Sequence, residues 1–201
     1  MKPTRTALAV LAASLLTMGT ASATIVFTPG NHPQPQEENI LFNGPGSISG
    51  PASSVAGVGG ASGCVATFGG AGENLVTPAS GQARVEAVDG GFTALSVSFG
   101  CTVTDIIFSI NTLQHGTRAT ATVMVGADTF SYTFGPGDTF LTIVATGGDT
   151  MSGFSLSGSA DIADIRQVRI SGSSLLAVPE PGTLALLGVA MLGLGVMRRR
   201  N

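Results

Sequence analysis

Histidines most often carry acid–base chemistry near neutral pH, and this sequence has only two of them. His32 lies in a proline-rich stretch, and His115 lies in a polar stretch that we predict to be a turn. A Ser-His-Asp site built on His115 is conceivable because serine and aspartate are abundant. However, the G-x-S-x-G sequence that places a nucleophilic serine on a sharp turn is absent. We therefore predict no catalytic residues and a protein that is not an enzyme.

Aspartates are the next candidates, because Ca²⁺ takes about six to eight oxygen ligands and carboxylates are common among them. Aspartates recur at the predicted turns of this chain, but none forms a D-x-D-x-D-G loop. Aspartate also favours turns for conformational reasons alone. We predict no metal site and no cofactor, and we keep calcium as the alternative. The aspartates concerned are Asp89, Asp105, Asp128, Asp138, Asp149, Asp161 and Asp164.

Cys64 and Cys101 are the only cysteines in the chain. Metal binding is disfavoured, because no histidine or third cysteine lies at the spacing of zinc ligands. In an oxidising compartment such a pair predicts a disulfide, and two buried free thiols are the alternative. Closing a loop of about 38 residues would stabilise the fold by about 4 kcal/mol in the chain-entropy description.

Short strands are the elements that would position these residues. In 118–125, Ala119, Ala121 and Val123 alternate with polar residues, which is the period of a strand with one buried face. Similar runs recur about every ten residues from Cys64 onward, with glycine-rich turns between them. This pattern predicts an all-β fold, an antiparallel β-sandwich or jelly roll with its core in residues 64–177. The predicted strands are 64–68, 82–88, 93–99, 105–110, 118–125, 129–134, 139–145, 151–156 and 165–170.

Residues 24–63 have a different composition, rich in proline, glycine and serine. Such composition favours extended, irregular structure. We predict a single strand there, at 39–42, and expect the segment to join the sandwich only in part.

The charge of the region between the two chain ends limits its partners. Residues 24–177 contain four basic and eleven acidic side chains, so the net charge is near −7. Phosphate recognition needs clustered lysine and arginine, which this region lacks. Nucleic acid is therefore excluded as an expected partner.

The N-terminus has the three-part layout of a signal peptide. Lys2 and Arg5 precede an apolar run from 7 to 18, and small residues follow it. The run is too short to span a membrane comfortably, and the A-x-A pattern predicts cleavage between Ala23 and Thr24. Residues 1–23 are thus predicted to be removed during export.

The C-terminus combines a proline-containing motif, an apolar run and a basic cluster. Val178, Pro179, Glu180 and Pro181 precede the apolar residues 184–197, which as a helix would reach about 21 Å against a hydrocarbon core of about 30 Å. We expect a short transmembrane helix that crosses by local thinning and snorkelling. The arginines that follow favour the cytoplasmic side, which places the domain outside. They are Arg198, Arg199 and Arg200.

These three parts, in this order at this end of the chain, resemble the PEP-CTERM sorting signal of Gram-negative bacteria. The resemblance covers residues 178–201. It implies recognition by a membrane-embedded exosortase, cleavage near Pro179–Glu180–Pro181, and transfer of the domain to the cell exterior. The proteins that share this tail occur in bacteria that form biofilms and produce exopolysaccharide, and they do not share one ectodomain.

Together these observations predict an exported, non-catalytic surface or extracellular-matrix protein. It is expected to be anchored in the inner membrane by its C-terminal helix, processed by an exosortase, and associated with exopolysaccharide or biofilm. The alternative is a glycan- or calcium-binding β-sandwich module. Sugar binding on aromatic platforms is not expected, because the chain has no tryptophan and its phenylalanines lie within apolar strands.

Overall fold

The computed structural model describes residues 24–78, 84–113, 118–135 and 137–175. In these ranges the chain forms antiparallel strands and turns without a helix, so the predicted all-β antiparallel class is confirmed. The finer choice of a sandwich or a jelly roll stays a prediction. The strands are β1 Thr24–Pro29, β2 Glu38–Leu41, β3 Ser54–Gly59, β4 Val65–Gly70, β5 Leu75–Val76, β6 Arg84–Ala87, β7 Phe92–Val103, β8 Asp105–Thr112, β9 Ala119–Val125, β10 Asp128–Phe134, β11 Thr139–Thr146, β12 Met151–Ser171 and β13 Ser174–Leu175.

The long strand β12 organises the sheet. Its first half pairs with β7 and β9, and its second half pairs with β8, β6 and β2. Register shifts interrupt the pairing between Ser157 and Ile162 and between Arg166 and Arg169, where Gln167 has a φ of 52°. Such bulges bend a strand and increase its twist. One strand can therefore pair with strands in different parts of the sheet.

The sheet closes on itself through β12. The pairing runs from β12 to β2, β3, β4 and β7 and then returns to β12. β8, β11 and β1 extend the sheet on one side, and β9 and β10 extend it on another. Closure leaves fewer strand edges to be protected from pairing with other chains.

β8 is the most deeply buried strand in the described part of the chain. All of its residues are buried, and the side chains of Ile106, Phe108 and Ile110 enter the hydrophobic core. The ring of Phe108 stacks on that of Phe154 from β12, with centroids 4.8 Å apart. An aromatic pair in this geometry is worth about 1 kcal/mol beyond its buried area.

The proline-rich N-terminal segment is part of this fold. It contributes β1, β2 and β3, whereas the sequence predicted only one strand, at 39–42. β1 pairs along β11, and the backbone N–H of His32 donates to Thr142 Oγ1 at 3.0 Å. The prolines lie mostly between these strands, so they do not interrupt the pairing.

The membrane segments predicted from the sequence lie outside the described residues. This applies to the signal peptide 1–23, the apolar run 184–197 and the whole sorting tail 178–201. Within the described ranges, no helix has the length and apolar character needed to span a bilayer.

The predicted disulfide between Cys64 and Cys101 is present, with the two Cα atoms 5.6 Å apart. It joins the start of β4 to β7, which pair directly with each other. Both cysteines are fully buried. Because the bridge closes a loop with a sequence separation of 37, it restricts the unfolded chain considerably.

We expect the double substitution Cys64→Ala, Cys101→Ala to lower the free energy of unfolding by about 4 kcal/mol, because the loop-closure entropy is no longer removed from the unfolded chain. Urea unfolding followed by circular dichroism measures this. Reduction of the native protein should produce the same loss. A native protein equally stable with and without reductant would contradict the prediction.

Candidate functional site

A broad surface of serine and threonine covers one side of the sheet. We call it the hydroxyl face. It spans β10, β9, β12, β7 and β4, which at about 4.8 Å per strand make it about 19 Å wide. Its outward positions are Thr129, Ser131, Thr133, Thr120, Thr122, Met124, Ser155, Ser157, Ala94, Ser96, Ser98, Thr67 and Gly69.

The register aligns these side chains in rows across the strands. Ser131 lies opposite Thr122, which lies opposite Ser157. A parallel row runs from Met124 through Ser155 to Ser96. None of the positions in the hydroxyl face carries a charge or an aromatic ring. The face therefore presents a regular array of neutral donors and acceptors.

Strand alternation is the reason why this array forms. On β9, Ala121 and Val123 are fully buried, so Thr120 and Thr122 must point outward. Some hydroxyls bond to each other, as between Thr122 Oγ1 and Ser131 Oγ at 3.0 Å. A hydroxyl both donates and accepts, so bonded hydroxyls keep capacity for a further partner.

A separate open pocket of about 220 Å³ lies where two turns approach β1. Asp128 at the start of β10 and Asp149 from the β11–β12 turn line it, together with Ile25. Within the described residues, no group of three or more His, Cys, Asp or Glu side chains could hold a metal ion. A calcium ion in this pocket would have to take most of its ligands from backbone carbonyls and water.

Asp105 is a buried carboxylate whose environment disfavours its charge. The residue is only 2% exposed, and its Oδ1 atom has no hydrogen-bond partner. Burial, together with the negative charge of Glu37, raises the pKa of Asp105 to about 6, and Arg169 opposes this rise. Arg169 is itself engaged, since its Nη1 donates to Glu37 Oε2 at 2.8 Å.

Glu38 fixes a different part of the N-terminal segment. Its Oε2 accepts from the backbone N–H groups of Ala61 and Ser62, at 2.7 and 2.9 Å, and its Oε1 accepts from Ser173 Oγ. Partial burial alone would raise the pKa of Glu38. The hydrogen bonds from Ser62, Ala61 and Ser173 outweigh burial and hold that pKa below its ordinary value.

Charged side chains gather at the end of the domain where β7 begins. Arg166 forms two bonds to Asp164, Nε to Oδ1 at 2.8 Å and Nη2 to Oδ2 at 2.6 Å, and it also lies 3.4 Å from Asp138. Glu73 lies near Asp89, whose negative charge raises the pKa of Glu73. Arg166 and its two aspartates neutralise one another locally, whereas Glu73 and Asp89 carry like charges.

The histidine candidates do not form a catalytic arrangement in the described residues. His32 is exposed, and its Nε2 contacts the carbonyl oxygen of Pro29 at 3.1 Å. His115 lies outside the described residues, as do Ala23, the motif residues Val178–Pro181 and the terminal arginines.

The interpretation of Asp105 and Asp164 as turn residues was wrong. Asp105 begins β8 and Asp164 lies inside β12, and both are buried; Asp161, also predicted at a turn, lies inside β12 but is exposed. Asp164 is held by Arg166, whereas Asp105 pairs in the backbone ladder with Ser171. Sequence reasoning also missed the hydroxyl face. Its signal was present in the alternating threonines of β9, but alignment across strands depends on register.

Comparisons with known proteins identify the C-terminal segment. Residues 177–200 match the family model of the PEP-CTERM protein-sorting motif. The chain therefore carries the tail of an exported protein that is held at the membrane by its C-terminus. More particularly, it carries the PEP-CTERM motif, whose bearers are sorted by an exosortase.

The other comparisons add no evidence on the domain. The search of curated proteins finds no match. Among solved structures, the chain is similar to a mutant of CBM29-2, a family 29 carbohydrate-binding module, at 14% identity and a TM-score of 0.22. The alignment covers 80% of this chain and 99% of that one. A TM-score this low supports no argument about fold or ligand.

We expect Asp105→Asn to change how stability depends on pH. The folded chain holds the Asp105 proton up to about pH 6, whereas the unfolded chain releases it near pH 4. Asp105 therefore contributes to stability at low pH. This contribution is lost as the pH rises from about 4 through 6. The neutral amide avoids that loss. The unfolding free energy of the variant minus that of the native protein should grow by about 2 kcal/mol between pH 4 and 7.

Urea unfolding at a series of pH values measures this difference. Asp128→Asn, at an exposed aspartate, is the matched control for the substitution itself. Parallel curves for Asp105→Asn and the native protein would show that Asp105 ionises as freely in the folded chain as in the unfolded one.

Proposed function

We propose that this is a non-catalytic surface or matrix protein, processed by an exosortase, whose hydroxyl face binds uncharged exopolysaccharide. The observation that carries the glycan part is the alignment of neutral Ser and Thr side chains in rows across β10, β9, β12, β7 and β4. The sorting part is supported by the motif at residues 177–200.

The hydroxyl face suits a sugar polymer because both surfaces present hydroxyl groups. Each hydroxyl donates one hydrogen bond and accepts others, so the two arrays can satisfy each other along an extended contact. A neutral hydrogen bond contributes only about 0.5–1.5 kcal/mol net. Useful affinity therefore requires many contacts at once, which a face about 19 Å wide can supply.

The charge of the domain favours an uncharged polymer. With a net charge near −7 over residues 24–177, the domain repels polyanions at low ionic strength. The binding mode also differs from an aromatic platform. Tyr132, the only tyrosine, is buried beneath the hydroxyl face, and burial raises the pKa of its hydroxyl.

The alternative is a calcium-binding module, and the pocket lined by Asp128 and Asp149 is the feature that favours it. Calorimetric titration of the exported protein with CaCl₂ tests this alternative. Heat of binding that disappears in Asp128→Asn, Asp149→Asn would support it, and a titration without heat would remove it.

Removing hydroxyls from the face should weaken glycan binding. We expect Thr120→Val, Thr122→Val, Thr133→Val to reduce retention on an insoluble uncharged glucan by tenfold or more, because three hydrogen bonds of about 0.5–1 kcal/mol each are lost at nearly constant side-chain shape. Co-sedimentation measures retention. Thr150→Val, outside the face, should bind like the native protein. Equal retention of the triple variant, or stronger native binding to alginate than to the glucan, would refute the proposal.

Processing makes a separate prediction. Mass spectrometry of the protein from its natural host should show a first residue of Thr24 and a last residue near Pro179, because the signal peptide and the sorting tail are both removed. Glu180→Ala is expected to accumulate as the longer form. Mature native protein that retains residues 180–201 would be incompatible with cleavage of the tail.

A further inference from the structure

Both ends of the described domain, Thr24 and the segment after Ser171, lie at the same end of the sheet, which we call the pole. Thr24, the first residue of β1, pairs with Thr146, and the N–H of the adjacent Ala145 donates to the carbonyl of Thr104 at 2.8 Å. On its other side, the N–H of Thr104 donates to the carbonyl of Ser171 at 3.0 Å. At about 4.8 Å per strand, Thr24 and Ser171 are about 15 Å apart.

The segment that leaves the domain is held firmly at this pole. Gly172 has a φ of +61°, and a β-carbon there would collide with the side chain of Thr104, so the backbone lies directly against β7–β8 at this point. Ser173 Oγ donates to Glu38 Oε1 at 3.1 Å. Ser174 pairs with Thr102, and Leu175 pairs with the disulfide-bonded Cys101.

The path from this fixed segment to the sorting motif is very short. Leu175 and Pro179 are separated by residues 176–178 only. Even when fully extended, four residue steps reach about 14 Å. An enzyme that holds residues 179–181 in its active site must therefore approach the pole to within that distance while β13 remains paired.

We infer that the exosortase docks on this pole, on a surface formed by residues 60–63, Thr102, Ser173 and Ser174, which we call the exit surface. This inference rests on the proposed processing. The exit surface consists of glycine, alanine, serine and threonine, so a folded partner can approach its backbone closely. It offers no cation to attract anionic lipid headgroups, which favours an enzyme surface over the lipid itself as the occupant.

The test places a bulky side chain on the exit surface of the full-length protein in its host. Ala61 is exposed and uses only its backbone N–H to reach Glu38, so Ala61→Arg and Ala61→Glu preserve that bond. Val88→Arg is the matched control, because Val88 is 56% exposed near the start of β7, about 35 Å from its end at Val103. Pulse-chase immunoblotting measures the rate of tail cleavage.

Both Ala61 variants should be cleaved at least tenfold more slowly than the native chain, and Val88→Arg should be cleaved at the native rate. Ten Gly/Ser residues inserted after Leu175 should restore cleavage of the Ala61 variants, because the enzyme then no longer needs to approach the exit surface. Intact disulfide and unchanged thermal unfolding confirm that the variants fold.

Native-rate cleavage of both Ala61 variants, or no rescue by the insertion, would overturn the docking inference. Opposite effects of arginine and glutamate would also overturn it, because they would indicate contact with anionic lipid. If the native chain itself keeps residues 180–201, the proposed processing is what fails.

Discussion

The backbone pairing of β12 is the constraint on which the rest of the structure depends. In the described residues no helix satisfies backbone N–H and C=O groups locally, so strands must satisfy them between distant parts of the chain. β12 does this for β2, β6, β7, β8 and β9. Its bulges let the same strand pass from one part of the core to another with only local interruptions of its ladder. A break in β12 would therefore separate the hydroxyl face from the β8 core, because its first half supports the former and its second half supports the latter.

The fold class could be predicted because alternation is a local property. The strand predicted at 118–125 is β9, Ala119–Val125, and the predicted strand at 105–110 lies within β8. The pieces predicted at 151–156 and 165–170 belong to one strand, because the small, polar residues that look like a turn between them form a bulge within it. β1 and β3 were missed because neighbouring prolines and glycines obscure short strands. The features that were not predicted depend on strand register and on long-range burial. The rows of the hydroxyl face follow from register, and the burial of Asp105 near Glu37 follows from distant packing, so neither can be seen in local composition.

The positions of the hydroxyl face are all uncharged, and the nearest charge along β9 is Arg118, just before the strand. Arg166 with Asp164 and Asp138, and Glu73 with Asp89, lie toward the beginning of β7, while Glu37 pairs with Arg169 of β12. An uncharged face made of apolar side chains would invite association between copies, but hydroxyls remain well hydrated and lower that tendency. The twist of the sheet acts in the same direction, because two twisted faces cannot stack over a long distance. A neutral, hydrated array can thus stay exposed without promoting association between copies.

The disulfide has a second consequence at the pole where the tail leaves. A domain held at the membrane by its C-terminus transmits any pull to β13, which has only two paired residues. Two residues of pairing offer little resistance alone, but one of their partners is Cys101, which is covalently joined to Cys64 at the start of β4. Glu38 ties Ser173 to the backbone of Ala61 and Ser62 just before Cys64. The exit segment, the β3–β4 loop and β7 thus form one cross-linked unit, and fraying of the last strand stops there instead of spreading into β12. A cross-link that depends on the Cys64–Cys101 disulfide persists only where thiols are oxidised. This agrees with the exported location that the sorting motif indicates.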